Sequence, residues 1–130
     1  MLGIFNLFNN ANKLSRGTIE YLNKVDLEYM RAYATKTTRN LHQYFDRDCI
    51  VKVSRLVLAS NSRYFGAEKF RKTTWTIESS NETEKVIRKR VEFDKVRVCS
   101  ALSIDVAENY CELWTLSVRD NIIKDIQKVS

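Results

Sequence analysis

Residues 86–100 read VIRKRVEFDKVRVCS, a long β-rich stretch whose apolar side chains change parity halfway along. Val91 and Phe93 are odd-numbered, whereas Val96 and Val98, continued by Leu102 and Ile104, are even. A strand alternates its side chains strictly between two faces, so one face cannot bury both sets. An extra residue near Asp94 resolves the conflict, because a bulge there bends the strand and keeps one face inward on both sides. The stretch therefore predicts a sheet that curls around a helix.

The flanks extend this into a meander. Thr73, Trp75 and Ile77 alternate, Ser79 to Glu82 supply turn residues, and Lys85 to Arg97 return as the long strand of a hairpin. A second turn falls at Ala107 to Asn109. Tyr110, Trp114, Leu116 and Val118 then alternate on a third strand, Arg119 to Asn121 turn again, and Ile122 to Val129 form the last strand. Upstream, an N-cap at Asp26 followed by Leu27, Met30, Ala34, Thr37, Leu41 and Tyr44/Phe45 predicts the main helix, with Arg31, Lys36, Arg39 and Gln43 on its wet face. Residues 49–59, CIVKVSRLVLA, are β-branched like a strand yet space Ile50, Val53, Leu56 and Val57 like a helix. The expected fold class is α+β: N-terminal helices packed on a curved, mostly antiparallel sheet. With no proline and only Gly3, Gly17 and Gly66, bulges must do the bending.

At 130 residues and 44% apolar, the chain suits one core. We place a single α+β domain at 24–130, preceded by an N-terminal helical or docking segment at 1–23. Leu2, Ile4, Phe5, Leu7, Phe8, Ala11 and Leu14 make that segment apolar, and no acid appears before Glu20, so it either packs on the domain or docks on a partner or membrane surface. No apolar run approaches a membrane span. Cys49, Cys99 and Cys111 are odd in number and lack C-x-x-C spacing, and one histidine cannot complete a metal site, so reduced, packing thiols and no metal are expected. Such thiols suit the cytoplasm, an organelle interior or a membrane periphery better than secretion. The sequence contains no Gly-rich phosphate loop, G-x-S-x-G, H-E-x-x-H or P-loop lysine, and no cofactor is expected. Asn81-Glu82-Thr83 matches a glycosylation sequon and reads most simply as a turn.

The layout of helix, shorter element and bent meander ending in WTLSVRDNIIKDIQKVS resembles the nuclear-transport-factor-like cone fold, or cystatin-like roll, nearest its import-motor docking and secretion-scaffold branch. Trp114, Leu116, Arg119 and Asn121 to Ile126 resemble that branch's penultimate strand, polar turn and last strand; Ile122 or Ile123 stands where a tryptophan is usual. The pattern covers roughly residues 24–129. The resemblance implies a pocket between helix and sheet, used by some members for dehydration or isomerisation with an Asp/His pair and by others for adaptor or scaffold roles. Fold alone does not choose between these.

Two sets of residues carry the functional readings. His42 and Asp46, four apart on the predicted helix, are the candidate acid/base pair of a small cofactor-free enzyme or ligand carrier. The second set is basic. The excess of 22 Lys and Arg over 16 Asp and Glu lies mostly in residues 55–97, and Arg71, Lys72, Arg88, Arg90, Lys95 and Arg97 are expected to line the outer sheet face. This predicts a non-enzymatic module that docks into a larger protein assembly or onto an acidic surface. An anionic membrane, RNA within a nucleic-acid-associated assembly, and a homodimer through the sheet are the other partners it admits.

Overall fold

The computed structural model describes residues 13–60, 68–97 and 108–129. Among the described residues two α-helices precede four strands: α1 (Arg16–Thr35), α2 (Arg47–Ala59), β1 (Arg71–Ser80), β2 (Glu84–Phe93), β3 (Tyr110–Ser117) and β4 (Ile123–Val129). The strands form one antiparallel sheet in the order β1-β2-β3-β4, and the helices cover one of its faces. The expected α+β class is the one observed.

The main helix starts earlier than Asp26. Ser15 caps it, its hydroxyl accepting from Thr18 N at 3.1 Å. The buried stripe is Leu22, Val25, Tyr29 and Ala32, at three-four spacing, while Leu27 of the predicted stripe is 54% exposed. Asp26 lies mid-helix and buried. α1 runs unbroken across positions 23 and 24, and Leu22 belongs to the core. It ends at Lys36, whose left-handed backbone (φ 58°) stops the helix well before Phe45. The Lys36 ammonium then donates to Val57 O and Ser60 Oγ, both at 3.1 Å, so a cation closes the carbonyl end of α2.

A 3-10 turn at Arg39–Leu41 leads to Tyr44 and Phe45, which are buried against the sheet. Ile123 N donates to Tyr44 O and Asp46 N to Ile123 O, both 2.8 Å, bridging this segment to the start of β4. The ambiguous run at 49–59 is helical: Cys49, Ile50, Val53 and Val57 turn inward, and Leu56 is 43% exposed.

The core is a ring cluster. Trp114 meets Trp75 at 5.1 Å, Tyr29 at 5.4 Å and Phe45 at 6.0 Å, all edge to face. Trp75 Nε1 donates to Asn23 Oδ1 at 2.8 Å, so the ring's polar end ties β1 to α1.

The bulge expected at Asp94 is absent. Asp94 N makes the ladder bond to Phe70 O at 2.9 Å, β2 ends at Phe93, and residues 95–97 turn helically, with Asp94 paired to Arg97 at 3.3 Å. An Asp at a strand end favours such a cap over continued extension, and Val96, expected inside, is 81% exposed. Val98, Cys99, Leu102 and Ile104 lie outside the described residues. The register instead shifts between Ile77 and Ser79 of β1 and between Thr115 and Leu116 of β3.

Candidate functional site

Period two sorts β2 into an inner set, Ile87, Lys89, Val91 and Phe93, and an outer set, Arg88, Arg90 and Glu92. Lys89 therefore points into the core. It is fully buried and lies directly opposite Glu112 on β3, whose parity matches Trp114 and Leu116. Its ammonium stands 2.9 Å from Glu112 Oε1 and 2.5 Å from Asp26 Oδ1, and over the rings of Tyr29 and Trp114 at 5.0 Å and Tyr110 at 5.4 Å. Asp26 Oδ1 meets it off the direction of a hydrogen bond, so that contact is Coulombic.

Arg71 supplies the second cation, with Nη2 2.8 Å from Asp26 Oδ2. Tyr29 OH donates to Glu112 Oε2 at 3.1 Å and Trp114 Nε1 to Glu112 Oε1 at 3.2 Å; Tyr33 OH lies 3.1 Å from Tyr29 OH. Two buried carboxylates thus face two buried cations from α1, β1, β2 and β3. Charges this far from water persist only when paired.

The electrostatics follow from that pairing. Burial alone pushes the Lys89 ammonium down; the Asp26 and Glu112 carboxylates outweigh it and hold it above the ordinary lysine range. Burial would raise Glu112, but the Lys89 charge and the hydrogen bonds from Lys89, Trp114 and Tyr29 hold it below the usual carboxylate value. Burial, then the Glu112 charge, pushes the Tyr29 phenol well up.

The sequence-predicted residues divide. Arg71 is a correction: odd parity puts it with Thr73 and Trp75 on the inner face, its side chain only 7% exposed. Lys72, Arg88 and Arg90 do lie on the outer face, where Glu78 pairs with Arg88 and Glu92 with Arg90. Lys95 and Arg97 stand on the turn beyond β2 rather than on a strand, both exposed. With Lys69 and Lys72 they gather at one end of the sheet, beside an open cleft of about 350 Å³ whose lining includes Phe70 and Phe93 as well as Glu92 and Asp94.

His42 and Asp46 do not share a helix face, because the chain turns between them. His42 is exposed, and Asp46 lies 3.9 Å from Lys124. Cys49 and Cys111 are free thiols, and Asn81 forms a turn by accepting from Thr83 N and Glu84 N at 2.9 Å. Among the described residues no cluster of His, Cys, Asp and Glu is placed to hold a metal ion, and no helix is long and apolar enough to cross a membrane.

Sequence reading missed Asp26, Lys89 and Glu112 as a group. The signal was present: Lys89 falls in the column Ile87, Val91, Phe93, Glu112 in the column Tyr110, Trp114, Leu116, and Asp26 beside Val25 within the Leu22 to Ala32 stripe. No family model, curated protein or solved structure matches the chain.

Proposed function

We propose that this chain is a non-enzymatic docking module that meets an acidic partner surface in a larger protein assembly through the outer face and basic end of its sheet. One observation carries the reading. The space between helices and sheet is filled by Trp75, Trp114, Tyr29, Phe45 and a mutually paired ion cluster, while among the described residues no helix covers the opposite face.

Lys69, Lys72, Arg90, Lys95 and Arg97 are the residues that would meet acidic groups, beside a cleft that Phe70 helps to line. Glu78 offsets Arg88 in the middle of the face, while at the end near the Asp94 turn Lys69, Lys72, Arg90, Lys95 and Arg97 outnumber Glu92 and Asp94, so attraction concentrates there. The docking branch that the sequence resembles uses its fold without chemistry, which agrees with this reading.

Retention of the chain on immobilised polyglutamate tests it. The wild type should be retained at low salt and released as ionic strength rises, and Lys72→Glu with Arg90→Glu and Arg97→Glu should pass through unretained while still folded. His42→Ala should behave as wild type. Equal retention of the triple variant would refute the assignment.

A further inference from the structure

The sheet has two edges, and they are finished differently. β4 carries Lys124, Asp125 and Lys128, is bridged at its start by Phe45, and packs on α2, with Lys52 paired to Asp125 at 3.0 Å. β1 has β2 on one side and, among the described residues, no strand on the other. From Thr73 to Ile77 it reads TTWTI, uncharged and without proline, and its register shift comes only after Ile77. A long uncharged edge is a template for another strand unless something blunts it.

The phase of the ladder says which groups that edge offers. The Asp94 N to Phe70 O bond fixes it, because bonded and non-bonded pairs alternate along an antiparallel ladder. Lys72/Glu92, Thr74/Arg90 and Thr76/Arg88 are then the bonded pairs with β2. The backbone N–H and C=O groups of Thr73, Trp75 and Ile77 point to the open edge.

We propose that β1 pairs antiparallel with β1 of a second copy about a two-fold axis at Trp75, joining two four-stranded sheets into one. In this register Trp75 faces its own copy and Thr73 faces Ile77, each donating and accepting across the axis. On the outer face Thr74 falls opposite Thr76, and exposed Lys72 falls opposite Glu78, twice by symmetry. Centring the axis on Thr74 or Thr76 instead puts both charges opposite neutral residues. The edge is thus charge-complementary to itself in one register, and this singles out a second copy as its occupant.

Sedimentation equilibrium of the full chain tests this, with far-UV circular dichroism and cooperative unfolding as folding controls. Wild type should sediment at twice the chain mass. Lys72→Glu and Glu78→Lys should each weaken association about tenfold, since each acts at two symmetric contacts, and the double variant should restore it. Thr73→Pro should leave a folded monomer, because its N–H serves the open edge and not the β1–β2 ladder. Wild type at the single-chain mass, open-ended growth with concentration, or a dimer indifferent to Thr73→Pro and to both reversals would overturn the proposal.

Discussion

Lys89 Nζ lies 2.9 Å from Glu112 Oε1, and the two residues sit directly opposite one another on β2 and β3, Lys89 fully buried and Glu112 8% exposed. A buried pair of this kind holds mainly because neither charge can be left alone. Removing one partner strands the other, at about 3–5 kcal/mol, whereas removing both together costs far less. Lys89→Met should therefore lower the urea unfolding free energy by about 3–5 kcal/mol. Lys89→Met combined with Glu112→Leu leaves the Asp26–Arg71 pair intact and strands no charge, so the double variant should be more stable than Lys89→Met alone.

The acid limb of stability should report Glu112. Its folded-state value is depressed, so its contribution is fully present above the ordinary carboxylate range and is lost as pH falls through the lower folded value. Wild type should exceed Glu112→Gln in stability at pH 7, and the gap should close progressively below about pH 4. On the alkaline side, Tyr29 is raised, so its neutral form stabilises the fold at ordinary pH and that contribution is lost as pH rises past about 10. Absorbance at about 295 nm should show a phenol that ionises only together with unfolding.

Thiol labelling should separate the two described cysteines. Burial pushes the Cys49 thiol up to about 12, so at neutral pH it is neutral and shielded under α2. Peptide mapping after brief treatment with a maleimide should find Cys111, half-buried on the outer face, modified well ahead of Cys49. Urea should remove the difference. Equal labelling in the native state would mean that α2 opens from the sheet.

Much of the fold was legible because alternation on flanking strands is a local signal. Thr73, Trp75 and Ile77 were placed together from spacing alone, as were Trp114 and Leu116, and the turns between β1 and β2 and between β3 and β4 followed from their polar residues, while Ala107 of the other expected turn lies outside the described residues. What misled was charge. Lys89 and Glu112 occupy core columns, and reading them as surface residues hid the ion cluster. The parity change at Asp94 suggested a bulge because an apolar Val96 looked like core, when Asp94 in fact stops the strand. The helix start was misplaced for a related reason: Asp26 suits an N-cap by type, yet its carboxylate is held mid-helix by Arg71 and Lys89 from the sheet. The trace each charge leaves is its place in an apolar column, while the partner across the fold leaves none. Arg71 likewise shares the odd parity of Thr73 and Trp75, and its charge hid that placement.

Backbone amide shift mapping of the labelled chain during titration with polyglutamate tests the docking reading most directly. The account predicts shifts confined to the outer face and basic end, around Lys69, Lys72, Arg90, Lys95 and Arg97, which fade as salt is added. Shifts centred on Tyr29, Lys89 and Glu112 would place the binding function inside the fold and contradict it.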